Sequence, residues 1–273
     1  MPVQARRFLR KMRGGAQAHL LEAADGHAYV VKFRNNPQHR RILVNEWIAS
    51  VFLRFLGISA PPTAIIETTA EFLDVNPEVY LQLGSRHVPI EPGWHFGSRF
   101  PGDPLRTAVY DFLPDALLGR VVNLHEFLGV YVFDKWMGNA DARQCIFYRA
   151  RLEGPAHREK AGFVAQMVDH GYVFDGPHWT FVDSPLQGLY FRPLVYERVR
   201  SIEAFEPWLE RIQHFPEEVM DEAYRQIPGS WIEDGDRDEV ENLLDKLLRR
   251  RKRIADLVEA GRAGRVNAFP NWA

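Results

Sequence analysis

Cysteine is almost absent from this chain: among 273 residues only Cys145 carries a thiol. One thiol excludes an internal disulfide and a cysteine-based metal cluster, and it fits a reducing compartment. No neighbouring base is implied beside Cys145, so it reads as a small buried residue rather than a nucleophile. Long apolar runs are missing as well. None approaches the roughly 20 residues that span a bilayer, and the N-terminus lacks the apolar core of a signal peptide. These absences predict a cytoplasmic protein with no membrane partner. Neither sign of charge dominates: 34 Lys and Arg face 36 Asp and Glu, a formal net charge of -2. No nucleic-acid partner is therefore expected. Basic residues cluster only locally, at Arg6 to Arg13 and Arg249 to Arg253, and both clusters read as solvated helix faces. Internal repeats and low-complexity segments are absent too.

The chain does have the apolar content for a core, at 46% hydrophobic and 26% charged. Its length suits one large domain or two packed lobes. The stretch from Tyr131 to Tyr148 is the most organised. An apolar run with Phe133 and Trp136 breaks at Gly138, presents Asn139, Asp141, Arg143 and Gln144, and turns apolar again at Ile146. That pattern predicts a buried helix, a tight polar loop and a buried strand. Asp141 is then either a turn residue after a helix stop or a carboxylate placed for chemistry.

Upstream, Gly14-Gly15 precedes two short apolar runs separated by Asp25-Gly26, which predicts a hairpin. A glycine pair at its entry is a plain turn or a close approach of backbone N–H groups to phosphate. Lys32 ends the second run. It either snorkels to solvent or points at an anion. Apolar residues from Leu43 to Leu56 recur at helical spacing, with Glu46 in the first half of the helix and Gly57 as its stop. A strand is expected at Glu78 to Leu83. The Gly- and Pro-rich residues 84–107 predict a hinge between a strand-rich 1–98 and a helical 99–273. Asn123 to Met137 predicts a long helix, 150–162 a surface turn, and Phe163 to Val168 a strand that delivers Asp169 with Gly171 two residues on. From Tyr196 the pattern is helical.

Taken in order, these pieces are a glycine turn, a strand lysine, a helix glutamate, a hinge, a buried helix, a loop Asp, a strand and Asp-x-Gly. That is the parts list of a protein-kinase-like phosphotransferase of α+β class with two lobes. A polyanionic phosphate needs backbone donors and an aimed lysine, a strand-end carboxylate can hold a metal, and a loop carboxylate can meet the attacking hydroxyl.

The chain specifically resembles the HipA-like kinases. Gly15-Ala16-Gln17 is similar to their phosphate-loop signature. Asn45-Glu46-Trp47 with Leu56-Gly57-Ile58 resembles their helix C segment, and Gly138-Asn139-Ala140-Asp141 their catalytic loop. Val168-Asp169 occupies the place of their metal-binding Asp. The resemblance implies an ATP- and Mg2+-dependent kinase acting on a protein serine or threonine. It assigns Gly14, Gly15, Ala16, Gln17 and Lys32 to the nucleotide, with Lys32 on the α/β-phosphates. Glu46 pairs with Lys32, Asp141 is the acid/base group, and Asp169 binds Mg2+. The hinge at Gly97 to Phe100 would border the adenine pocket. A toxin role and an antitoxin partner are further expectations at family level.

Three departures stand out. The metal-binding asparagine expected after the catalytic Asp is missing, and Gln144 is the only amide nearby: either it substitutes or a second metal is weakly held. No Ser or Thr precedes Ser50, so an inhibitory phosphorylation near the phosphate loop cannot operate in the same place. The chain starts almost at that loop, which reads as a short form without the HipA N-terminal subdomain. A nucleotide-binding pseudokinase, or a kinase of small molecules or lipids, are the alternative readings.

Overall fold

The structure, a computed structural model, describes residues 1–153, 159–264 and 266–273. Asp25-Gly26 closes a hairpin between β2 (His19–Ala23) and β3 (Ala28–Lys32). Gly26 takes φ +79°, and the Asp25 carboxylate accepts from the backbone of His27 and the hydroxyl of Tyr29. β1 (Val3–Lys11) pairs antiparallel with β2. The basic cluster at Arg6 to Arg13 is thus on and after a strand, not on a helix. Register shifts between Ala5 and Arg7 and between Phe8 and Arg10 break the strict alternation that would have marked it.

Next comes α1 (Arg41–Leu56). It stops at Gly57, whose φ of 71° lets its N–H and that of Ile58 meet the carbonyls of Arg54 and Leu53. β4 (Thr63–Thr68), α2 (Ala70–Val75), the hairpin β5 (Tyr80–Leu83) and β6 (Arg86–Pro89), and β7 (Gly93–Arg99) follow. The barrel order is β1-β2-β3-β7-β4. The expected 84–107 hinge is strand over much of its length: β6 and β7 lie within it, and β7 stands between β3 and β4. Its glycines misled because one is a packing requirement. A Cβ on Gly97 would stand 2.5 Å from Ile66 Cγ1.

The second half is built on α4 (Glu126–Met137), which is buried nearly all round. Before it lie β8 (Val109–Tyr110) and α3 (Asp115–Leu118). After it, β9 (Gln144–Glu153) and β10 (Glu159–Val168) pair antiparallel. The expected surface turn at 150–162 is thus mostly strand, because the two strands run on to pair at Glu153 and Glu159; residues 154–158 lie outside the described residues. Helices α5 (Trp208–Gln213), α6 (Glu217–Arg225), α7 (Asp236–Arg250) and α8 (Ile254–Glu259) complete the lobe. Phe52 of α1 stacks on Trp136 of α4 at 5.6 Å, and Phe215 packs against both. Each such fully buried ring contributes about 2–3 kcal/mol. One apolar cluster therefore runs from α1 into the helical lobe, which fixes α1 against the elements that carry the site.

Two histidines are enclosed in the barrel lobe. His19 lies edge-on between Phe8 and Phe33, and burial pushes its pKa down to about 4. Burial lowers His95 to about 3; its Nδ1 accepts from Arg34 N–H and its Nε2 meets Thr68. Both stay neutral when folded, while the unfolded chain binds protons near pH 6.5. The stability they allow is complete above pH 6.5 and is lost as pH falls toward 4 and 3. Urea unfolding at pH 4.5 should show about 2–3 kcal/mol less stability per histidine than at pH 7. A His19→Gln variant that fails to flatten this dependence would refute the assignment for that residue.

Candidate active site

Lys32 sits on the last position of β3, pointing from the sheet into the gap between the lobes. Its Nζ bonds Glu46 Oε1 of α1 and lies 2.7 Å from Asp169 Oδ1. Glu46 is 2% exposed. Burial alone would push the lysine down, but Glu46 and Asp169 outweigh it and hold the ammonium above its usual pKa. Lys32 in turn depresses Asp169, against the effect of burial. For Glu46 burial wins and raises the carboxyl, with Lys32 opposing. Asp169 follows β10 with φ +59°, a left-handed conformation uncommon for a non-glycine residue.

These groups face a cleft of about 540 Å³. Gly14, Gly15, Ala16, Gln17, Lys32, Glu46, Gln144 and Asp169 all line it, as do Phe96, Ser98, Phe100 and Pro101 at its hinge side. Gly14 takes φ +120°, and the turn closes through Gln17 N–H to the Gly14 carbonyl at 3.1 Å. The Gln17 side chain has a partner of its own. Its amide exchanges two hydrogen bonds with the backbone of Gln82, at 2.7 and 2.6 Å. The β5–β6 hairpin therefore holds the glycine turn, a positioning contact that the sequence did not reveal.

Asp141 comes from the loop after α4. Gly138 ends the helix at φ +61°. Asn139 Nδ2 donates to Asp134 Oδ1 at 3.0 Å, and Asn139 Oδ1 accepts from the Asp141 N–H at 3.1 Å. Asp141 itself is exposed, with Oδ1 accepting from Ala142 N–H at 2.7 Å and Oδ2 3.4 Å from Gln144 Nε2. It is not among the residues lining the cleft, but Gln144 connects it to that lining.

Sequence reasoning missed the support beneath this loop. Arg143 is buried and forms a two-pronged pair with Asp134, Nε to Oδ2 at 2.8 Å and Nη2 to Oδ1. Its Nη1 lies 2.9 Å from the Val168 carbonyl and 3.0 Å from His170 Nδ1. Arg143 thus joins α4, the Asp141 loop and the backbone beside Asp169. The available signal was Asp134 itself, a charge inside an apolar helix, which must be paired to be buried. Asn45 was seen only as motif. Its side-chain N–H2 lies within 2.7–3.1 Å of the carbonyls of Gly171, Val173 and Gly176, and its Oδ1 accepts from Trp179 Nε1 at 2.8 Å. Cys145 is buried, and burial pushes its thiol up to about 12, so it is not an active nucleophile.

Among the described residues no group of three or more His, Cys, Asp or Glu side chains could hold a metal on its own. Asp169, Asp141 and Gln144 nevertheless offer oxygen donors. An open set of oxygen donors of this kind suits a hard divalent cation that completes its shell with water or ligand oxygens. No helix among the described residues is long and apolar enough to cross a membrane.

A strand lobe carrying a lysine–glutamate pair, joined to a helical lobe that supplies two aspartates, defines a bilobal protein-kinase-like fold. The family model described as HipA-like kinase matches residues 6–256, and the chain belongs to the HipA-like kinase family. No curated protein matches it. Among solved structures it is similar to a Golgi casein kinase with Mn/ADP bound, at TM-score 0.52 and 12% identity. That match covers 98% of this chain and 75% of the other. It is also similar to the Helicobacter pylori proinflammatory kinase CtkA, at TM-score 0.51 and 12% identity, covering 97% of this chain and 100% of that one. At such identities the likeness is one of fold.

Proposed function

We propose that this chain is a cytoplasmic ATP- and Mg2+-dependent kinase that transfers the γ-phosphate to a serine or threonine of a protein. The convergence of Lys32, Glu46 and Asp169 on the cleft under the glycine turn carries this reading. In it, backbone N–H groups of Gly14 to Gln17 and the Lys32 ammonium hold the phosphates, and Glu46 aims Lys32. Asp169, with Gln144 as a further oxygen donor, would hold Mg2+, which when bound neutralises phosphate charge. The adenine would rest against Phe96 and Phe100. Asp141 accepts the proton of the acceptor hydroxyl as its oxygen bonds the γ-phosphorus. The bond to the β–γ bridging oxygen breaks, and ADP leaves with the electron pair. Residues 1–98 and 99–273 are taken as the two lobes. Family membership supports a toxin-type role restrained by a protein antitoxin.

Transfer of labelled γ-phosphate to a protein panel, alongside Mg·ATP binding, tests the reading. Asp141→Ala should lower transfer by about 10²–10⁴-fold and leave Mg·ATP binding intact. If wild type neither binds Mg·ATP nor transfers phosphate, the reading fails. A second reading, a nucleotide-holding pseudokinase, is favoured by the turn of Gln144 toward Asp141. Binding without transfer by wild type would select it.

A further inference from the structure

Strand β1 has one feature that phosphate transfer does not use. Its pairing with β4 covers only Val3 and Gln4. From Ala5 to Lys11 it is matched along its β2 edge, and among the described residues no other strand pairs with it beyond Gln4. Arg6, Arg7, Arg10 and Lys11 on this stretch, and Arg13 just past it, are exposed. Among the described residues only Arg7 of these has a carboxylate in reach, that of Glu22. Arg10 and Lys11 lie over the rings of Phe100 and Tyr80 instead. Arg10, Lys11 and Arg13 continue to the rim of the nucleotide cleft. One or two charges are enough to protect an edge from unwanted pairing. Five of one sign, in a chain of net charge -2, also select a partner.

We infer that this edge docks an extended acidic segment of a partner protein, added as a strand alongside β1. The open row of N–H and C=O groups is matched by a polypeptide backbone, and acidic side chains answer the arginines. Nucleic acid fits less well. Phe8 of β1 packs against His19, the Tyr80 ring lies between Lys11 and His87, and Phe100 is buried, so none of these rings offers an open face for bases. The inference needs no catalytic step and does not depend on the kinase reading.

Fluorescence anisotropy with a labelled peptide of alternating Glu and Thr tests it on the full chain. Saturable binding is expected, weakened about tenfold in Arg6→Glu/Arg10→Glu, about 0.7 kcal/mol for each reversed charge. A peptide with Pro at alternate positions, unable to donate to the ladder, should not bind. Amide exchange at residues 6–11 should slow when the Glu-Thr peptide is added. No binding of the Glu-Thr peptide would overturn the inference. So would equal binding of the Pro peptide or of oligo(dT), or binding with no slowing of exchange on β1. The peptide controls leave the protein unaltered, so misfolding of the double variant cannot mask the result. Loss of transfer in Asp141→Ala with peptide binding intact separates the two sites.

Discussion

Lys32→Met is expected to reduce phosphate transfer by about three orders of magnitude and to destabilise the fold at neutral pH. On the proposed function, the loss of transfer follows from removing the buried cation that Glu46 and Asp169 hold in the cleft. The loss of stability follows from what remains. Glu46 is buried, Asp169 stands on the other side of the missing ammonium, and the two carboxylates then face each other uncompensated. Breaking one partner out of a buried pair costs about 3–5 kcal/mol, which is about 10 °C in Tm for a chain of this size. The variant's Glu46 should take up a proton, since burial already raises its pKa and the opposing attraction is gone. A carboxyl whose folded pKa is raised binds protons more readily folded than unfolded. The deficit relative to wild type is therefore largest above that raised pKa, and it shrinks as pH falls toward the unfolded value. Thermal melts of both proteins across pH measure it. Lys32→Met/Glu46→Gln should regain much of the stability and none of the transfer. Recovery of transfer in that double variant would show that Lys32 does not act on phosphate.

Arg143→Met should have the next largest effect, and a different signature. Asp134 and Arg143 are both fully enclosed. Burial raises the Asp134 carboxyl, and Arg143 opposes it. For Arg143 burial works downward and Asp134 prevails. Leaving either charge alone costs about 3–5 kcal/mol, whereas replacing both with apolar groups of similar volume is often neutral. Asp134→Leu/Arg143→Met should accordingly recover stability in urea unfolding. It should not recover transfer, because the Val168 carbonyl and His170 still lack their donor and Asn139 loses its Asp134 acceptor. A double variant as active as wild type would reduce the Arg143 network to a folding element.

How much of this was legible follows from where each residue sits. Lys32, Glu46 and Asp169 stood out because each lies within or at the end of an apolar run, and Asp141 because it sits in the short polar loop between two apolar runs. α1 was readable from its helical spacing, although Glu46 and Asn45 lie among buried neighbours. β1 was misread because two register shifts erase its alternation, and β7 because its glycines look like linker. The supporting residues were hidden for a deeper reason. Asp134 and Arg143 are 9 positions apart, and Arg143 and His170 are 27 apart. No local pattern states which buried charge answers which. Gln17 and Gln82 pose the same difficulty across 65 positions.

Asn45 carries a consequence for how this protein can be switched off. The residue next to Glu46 is latched to three carbonyls of the 171–176 turn and to Trp179. The helix and the chain beyond Asp169 therefore travel as a single lever. Glu46 cannot swing outward and leave Lys32 while that turn stays in place. A partner that disarms the lysine by drawing Glu46 away has to lift the turn as well.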